Sequence, residues 1–294
     1  MGVTLKTLRQ EIGKDLRECT TGRVDSATAY TLTDADLIDP DESSSLYDRA
    51  WVKLFTSGGL ASATRRVRAS SDTVTGYDPA SGTLRWARAL DTIPSAGDEY
   101  ELHTLLSPDD LDRCIDAGLA RCHYLDDLEI ATVDAQREYD LSAYTYLTSA
   151  GQIVDVFWLY GDTANRRQLI PVNWFEVQEQ VIDGEKALTL RIRPISYSTA
   201  TATLVIRHTR PYGTGIWTED GTACPLRWAK AAALVEVYRY LQMHSPAEDA
   251  QRYQQEQLKA AADFTSLAYQ YQPRPARRVQ HSESHLANYE RGVV

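Results

Sequence analysis

The sequence predicts an α+β protein with a core of four bundled helices, two antiparallel β insertions and an extended C-terminal tail. Three observations support this prediction. Apolar residues recur at helical spacing in four segments, and they alternate with polar residues in the two long regions between those segments. No apolar periodicity is visible after Pro273. With 294 residues, of which 43% are hydrophobic, the chain is long enough to bury a sizeable core.

The first helix is predicted over residues 4–18. Its apolar residues share one face, and its basic residues are expected elsewhere on the helix surface. The apolar positions are Leu5, Leu8, Ile12 and Leu16, and the basic positions are Lys6, Arg9, Lys14 and Arg17. Gly22 is expected to break the chain after this helix, because glycine favours turns.

The first β insertion is predicted over residues 28–103. Apolar and polar residues alternate in AWVKLF, TLRWAR and DEYELH, as they do in half-buried antiparallel strands. In this pattern Glu101 points away from Tyr100 and Leu102. The turn-forming runs SGG, DPASG and SAGD separate the strands. The acidic stretch 34–42 lacks the spacing of a calcium-binding loop, and we interpret it as a solvated turn.

The second helix is predicted over residues 107–124. Ser107 can cap its N-terminus and Pro108 suits its first turn, while the two aspartates that follow complement the positive end of the helix dipole. Its apolar stripe consists of Leu111, Cys114, Ile115, Gly118, Cys122 and Leu125.

The second β insertion is predicted over residues 127–215. The strand-forming runs are GQIVDVFWLYG, NWFEVQEQV, KALTLRIRPI and ATLVIRHTRPY. Between the second and third of these runs, Asp183 and Gly184 predict a tight hairpin turn.

Two further helices are predicted, over residues 225–244 and from Ser245 to about residue 270. The second begins with a capping box, SPAE, and the short connection predicts a helical hairpin. These elements divide the chain into four parts: 1–126 with the first helix, β insertion and second helix, 127–222 with the larger β insertion, 223–272 with the hairpin, and 273–294 as the tail.

The motif content of the sequence argues against an enzyme. The sequence contains no GxxxxGK[ST] phosphate loop, no GxGxxG after a strand, no HExxH and no GxSxG motif. Its four cysteines form no CxxC pair, and we interpret them as buried reduced thiols on helix faces. We therefore expect no catalytic residues, no cofactor and no metal site.

Charge and hydropathy exclude two classes of partner. The net charge of −10 disfavours a general nucleic-acid binder, and no apolar run is long enough to cross a bilayer. The 17 tyrosines and 6 tryptophans suit protein interfaces, although a carbohydrate-binding face would use the same residues. Arg66 and Arg68, on one face of a predicted strand, and Tyr253 are candidates for a subunit interface.

Four segments carry a resemblance to a known family: LKTLRQEIGKDL, SPDDLDRCIDAGLARC, LRWAKAAALVEVYRYL and SPAEDAQRYQQEQLKAAADF. Their order resembles that of head-to-tail adaptor (neck or connector) proteins of tailed bacteriophages. The resemblance implies a non-enzymatic virion protein, assembled in the host cytoplasm as a ring of twelve copies. Its partners would be the portal and the tail or neck proteins, and DNA would only pass through the ring lumen. A C-terminal extension typically docks onto the portal, which here assigns that contact to Pro273, Arg274, Arg277 and Arg278.

Two alternatives remain open from the sequence. The chain could be a different phage structural component, such as a tail terminator, a baseplate protein or a tail hub protein. Residues 127–215 could instead form a carbohydrate-binding or carbohydrate-active β domain.

Overall fold

The computed structural model describes residues 3–55, 62–131, 136–147, 149–160, 167–170, 174–182, 185–193, 202–212 and 224–273. The chain folds as two compact units. The first unit combines residues 1–122 with residues 212–271, and the second contains residues 123–211.

The four predicted helices are present. They are α1 (Leu5–Leu16), α2 (Pro108–Leu119), α3 (Leu226–His244) and α4 (Ala247–Tyr271). α1 begins after Thr4, whose hydroxyl accepts a hydrogen bond from the backbone N–H of Thr7, and α2 begins after Ser107, which caps Asp110 in the same way. α1 ends at Arg17, which adopts a left-handed conformation with φ of 57°.

The predicted fold class is wrong. The described residues hold helix and strand in about equal measure, and the strands form four antiparallel sheets. The protein is therefore sheet-rich, and it is not a helical bundle that carries two β insertions. The physical reason is that the described residues form three separate hydrophobic cores, and only one of them lies among helices.

Eight strands of the first unit form two four-stranded sheets. The strands are β1 (Cys19–Arg23), β2 (Ser26–Ala27), β3 (Thr31–Thr33), β4 (Trp51–Phe55), β5 (Ser62–Arg66), β6 (Tyr77–Asp78), β7 (Thr83–Arg85) and β8 (Glu99–His103). Sheet I has the order β1-β8-β4-β5 and sheet II the order β2-β3-β7-β6. Between them lies a core that includes Val52, Leu54, Leu84, Trp86 and Tyr100.

The sequence predicted a break in the chain at Gly22, but this residue lies within β1. It pairs with Tyr100 of β8, and a Cβ atom at Gly22 would lie 2.4 Å from the Tyr100 hydroxyl oxygen and 2.4 Å from Asp34 Oδ2. Tyr100 donates a 2.6 Å hydrogen bond to that same carboxylate. The glycine therefore makes room for a buried Tyr–Asp pair and does not serve as a turn.

The helices of the first unit share one core. It includes Leu8, Ile12, Leu111, Ile115 and Trp228, all of which are fully buried. α2 and α3 approach closely at Gly118, where a Cβ atom would lie 2.6 Å from the backbone nitrogen of Ala233. Glycine in the predicted apolar stripe of α2 thus permits backbone-to-backbone contact. Leu125 of that predicted stripe is 43% exposed, because the helix ends before it.

The second unit consists of two antiparallel sheets around one core. Its strands are β9 (His123–Ala131), β10 (Glu138–Asp140), β11 (Ile153–Tyr160), β12 (Arg167–Leu169), β13 (Phe175–Ile182), β14 (Glu185–Ile192) and β15 (Ala202–Pro211). Sheet III has the order β12-β11-β15-β9 and sheet IV the order β10-β14-β13. The predicted turn residues Asp183 and Gly184 lie outside the described residues, but Ile182 and Glu185 on either side are paired.

None of the helices in the described part of the chain is long and apolar enough to span a membrane.

Candidate functional site

The most unusual feature of the first unit is a cluster of charged side chains on the face of sheet I that is turned away from its apolar core. Lys53 lies opposite Glu101 in the pairing of β4 with β8, and His103 follows two residues later on β8. Their neighbours Val52 and Leu102 belong to the apolar core on the other face. All three polar residues are buried. We call this group, together with Arg9, Asp112 and Glu18, the ionic cluster.

Arg9 of α1 connects the sheet to α2. Its Nε donates to Glu101 Oε2 at 2.9 Å, and its Nη1 donates to Asp112 Oδ1 at 2.8 Å. The other oxygen of Asp112 accepts from Lys53 Nζ, also at 2.8 Å. Arg9 and Glu101 are completely buried, whereas the Asp112 side chain is 22% exposed. The cluster thus ties α1, α2 and two strands together through charge-assisted hydrogen bonds.

His103 forms the second half of the ionic cluster. Its Nε2 lies 3.3 Å from Glu101 Oε2 and 3.8 Å from Cys19 Sγ, and its Nδ1 lies 3.8 Å from Glu18 Oε1. Glu18 Oε2 accepts hydrogen bonds from the backbone N–H groups of Leu105 and Leu106 at 3.1 and 2.9 Å. This carboxylate therefore also orders the chain just before α2.

The pKa values follow from this pairing. Burial by itself lowers the pKa of His103, but the contacts of its ring nitrogens with Cys19, Glu101 and Glu18 outweigh burial and raise that pKa to about 11. For Glu101, burial raises the pKa, but His103 and Arg9 lower it below its usual value. With a protonated His103, the three cations of the cluster balance its three carboxylates, which is the condition for burying charge at low cost.

The ionic cluster is closed to solvent at its centre, since Arg9, Glu101 and His103 have no exposed surface. A general acid or base must come within hydrogen-bonding distance of its substrate. The arrangement is suited to holding α1 and α2 against sheet I, and we assign it that role.

The protonation of His103 predicts a pH dependence of stability. The folded-state pKa of about 11 is higher than the unfolded value of 6.5. The histidine's contribution is thus fully present below pH 6.5 and is lost as the pH rises towards 11. Between pH 7 and 10, we expect the wild type to lose roughly 1 kcal/mol of unfolding free energy per pH unit relative to His103→Gln.

Urea titrations of both proteins across this pH range measure that difference. The variant provides the baseline, because it keeps all other titrating groups. Parallel pH profiles for the two proteins would show that His103 is neutral in the folded state.

Cysteine and metal chemistry find little support in the structure. Burial raises the pKa of the Cys114 thiol to about 12, and the pKa of Cys224 is raised by hydrogen bonding to Cys122 and by burial. Cys114, Cys122 and Cys224 are buried free thiols, whereas Cys19 is half-buried on a strand. Within the part of the chain that the structure describes, no three His, Cys, Asp or Glu side chains are grouped to hold a metal ion.

The α3–α4 hairpin is held by aromatic side chains. The Trp228 ring lies 6.3 Å from that of Phe264, 6.0 Å from that of Tyr271 and 6.2 Å from that of Tyr212. A second pair links the helices nearer their connection, where the rings of Tyr238 and Tyr253 stack at 6.5 Å.

The candidate contact residues from the sequence lie in different places. Arg66 is exposed at the end of β5, with its guanidinium 5.3 Å from the centre of the Trp51 ring. Arg68 is half-buried beyond that strand, and Tyr253 is half-buried within the hairpin. Pro273 follows the last turn of α4, while Arg274, Arg277 and Arg278 lie outside the described residues. Among the candidates that the structure describes, Arg66 and Arg68 lie at one end of sheet I, whereas Tyr253 and Pro273 belong to α4 and the residues after it.

Sequence reasoning missed the ionic cluster. It assigned Arg9 and Glu101 to polar faces of their elements, and both are fully buried. One signal was available: Lys53 and Glu101 are opposite charges at the centres of two alternating strands, where cross-strand pairing would place them side by side.

Comparison with known proteins adds no further assignment. The sequence matches no protein-family model and no curated protein at a significant level.

Proposed function

We propose that this chain is a non-enzymatic structural protein of a tailed bacteriophage, namely a head-to-tail adaptor that forms a ring between the portal and the tail. The proposal starts from the sequence segments that resemble such adaptors. Those segments form α1, α2 and the α3–α4 hairpin, and residues from all four helices pack in or against one hydrophobic core. The resemblance therefore lies in a single packed body and is not scattered over the chain.

The main support from the structure is the exposure of α4. Of its 25 residues, only Ala260 is buried, although a helix on a protein surface usually buries a full stripe against its core. Large apolar side chains of the hairpin are exposed to solvent: Met243 is 64%, Leu258 66% and Tyr269 69% exposed. These are the three most exposed large apolar side chains among the described residues, and their position on one hairpin favours a role in binding other proteins.

The ionic cluster supports the non-enzymatic part of the proposal. Glu101 and His103, two buried titratable groups of the first unit with shifted pKa values, pair with each other, and Glu101 also pairs with Arg9. Structural ion-pair networks perturb pKa values as active sites do, and burial of this cluster favours the structural interpretation.

Electron microscopy tests the proposal directly. The full chain would be purified and mixed with the portal protein encoded in the same genome, and the particles imaged in negative stain. We expect rings of this chain stacked on the portal. Labelling at the far end of the tail would favour a tail-terminator, baseplate or hub protein instead, and binding to a glycan array without any ring would favour a carbohydrate-binding protein.

A truncation tests the assignment of the tail. We expect a chain without residues 273–294 to fold normally but to fail to join heads to tails, because no described residue of the helical core lies beyond Tyr271. Circular dichroism melting checks the fold, and in vitro joining of heads and tails checks the function. The charge-reversal variant R274E/R277E/R278E provides a full-length comparison. Normal joining by the truncated chain would contradict the assignment.

A further inference from the structure

α4 has one face that neither the core nor its charged residues occupy. Six exposed residues follow one another along this face at intervals of four, three, four, three and four: Gln251, Gln255, Leu258, Ala262, Thr265 and Tyr269. At 100° per residue, all of them lie within about 60° of Leu258 around the helix axis. We call this face the uncharged stripe.

The rest of the α4 surface serves other purposes. Tyr253, Phe264 and Leu267 pack against the helical core on the opposite side. Every charged residue of α4 lies at least about 80° of rotation away from Leu258: Glu248, Asp249, Arg252, Glu256, Lys259 and Asp263. The uncharged stripe is therefore a distinct surface that runs the length of the helix.

We infer that the uncharged stripe is a subunit interface, which a second copy of this chain covers in the assembled protein. This inference rests on the proposed ring function and identifies the surface through which copies would meet. A face this long and narrow suits a helix as the covering element, since helices pack side by side along their length.

Charge favours a second copy over a basic partner. The chain has a net charge of −10, so two copies repel each other wherever their carboxylates meet. A face without charged side chains is one on which they can approach without adding like-charge pairs. A basic partner would instead gain from an acidic surface.

The size of the stripe explains why a ring suits it better than an isolated pair. A 25-residue helix is about 37 Å long, and a strip about 10 Å wide gives roughly 750 Å² of buried area over two partners. That value is below the roughly 1,200 Å² of a stable interface. In a closed ring the stripe of each copy is covered by a different surface of its neighbour, so every copy makes two heterologous contacts and is held from both sides.

The test introduces charge into the stripe. We expect the double variant L258E/Y269E to assemble only at a protein concentration at least about tenfold higher than the wild type needs. The reason is that carboxylates would then be buried against an acidic neighbour. The matched control, S266E/Q270E, adds the same two charges to exposed positions beside the charged side of α4. Light scattering coupled to size-exclusion chromatography measures the mass of each full-length protein, and circular dichroism verifies that both variants fold.

The outcomes separate the inference from the proposed function. Rings in the wild type and control but monomers in L258E/Y269E support both. If rings persist in L258E/Y269E, the inference is overturned and the ring function stands. If the wild type forms only a dimer that L258E/Y269E abolishes, the interface is supported and the ring is not. A wild type that stays monomeric at about 100 µM, well above the Kd of an ordinary assembly, overturns the interface.

Discussion

Replacing Arg9 with methionine is expected to lower the free energy of unfolding by about 3–5 kcal/mol. Methionine keeps much of the side-chain volume but removes the charge. Glu101, which is fully buried, then loses its 2.9 Å hydrogen bond to Arg9 Nε, and Asp112 loses its 2.8 Å bond to Nη1. Leaving a buried carboxylate without its full set of partners costs far more free energy than the ion pair contributes to stability. Urea unfolding of the full chain measures the loss.

Two comparisons show whether charge or packing is responsible. Lys14→Ala removes an exposed ion pair to Glu11 from the same helix, and we expect it to cost less than about 1 kcal/mol. The double variant R9M/E101Q removes one cation and one anion, so its loss should be smaller than the sum of the two single losses. Additive losses, or an Arg9→Met loss no larger than that of Lys14→Ala, would show that the cluster does not act as a unit.

Replacing Trp228 with alanine is expected to cost a further 3–5 kcal/mol or so, this time through packing. Trp228 is fully buried in the helical core, and its ring lies beside those of Phe264 and Tyr271 on α4 and that of Tyr212 outside the hairpin. Truncation leaves a cavity that rigid aromatic neighbours cannot fill. The α3–α4 hairpin should therefore lose its register against the rest of the unit. Urea unfolding followed by near-ultraviolet circular dichroism measures the effect.

The indole N–H makes the Trp228 prediction more specific. Trp228 Nε1 is buried and makes no hydrogen bond with the described residues, so Trp228→Phe removes an unsatisfied donor and should cost only about 1–3 kcal/mol. Trp174, which is 40% exposed, provides a matched control, since its replacement by alanine should change stability by no more than about 0.5 kcal/mol. Equal losses for Trp228→Phe and Trp228→Ala would point to a missing polar contact at Nε1.

The helices were predictable because their signals are local. Ser107 and Pro108 mark the start of α2 within two adjacent residues, and the hydroxyl of Ser107 does cap the helix. The end of α2 was harder to locate, because Cys122 continues the apolar spacing although the last helical residue is Leu119. Cys122 is buried all the same, just before β9 begins. A buried residue just beyond a helix end continues the apolar spacing of the helix in the sequence, although its backbone is not helical.

The fold class could not be predicted because it depends on distant pairing. Periodicity identifies a segment as helix or strand, but it does not show which segments share a core. β1 pairs with β8, so that Cys19 lies opposite His103, and no local pattern signals a partner so far along the chain. Sheet I depends on such contacts, and so does the core between sheets I and II.

The ionic cluster was hidden for a related reason. Alternation of polar and apolar residues predicts a strand that is solvated on one face. In sheet I that face is covered by α1 and α2, so its charged residues are buried in the interior of the unit. The sequence indicates surface positions for Arg9 and Glu101, because charged side chains are normally exposed to solvent. They can be fully buried only because neighbouring side chains carry the complementary charges.

The first unit is built from two stretches of chain, 1–122 and 212–271, and this has a consequence for how the protein is made. α2 ends at Leu119 and α3 begins at Leu226, so the ribosome must add about a hundred residues before α3 can emerge. At 5–20 residues per second, Leu111 and Ile115 wait roughly 5–20 seconds for the helix that covers them. During that time sheets I and II, whose strands have all been synthesised, can already fold. Nascent chains stalled between residues 122 and 212 are therefore expected to carry a folded β core beside an exposed apolar helix, which is the form most in need of a chaperone.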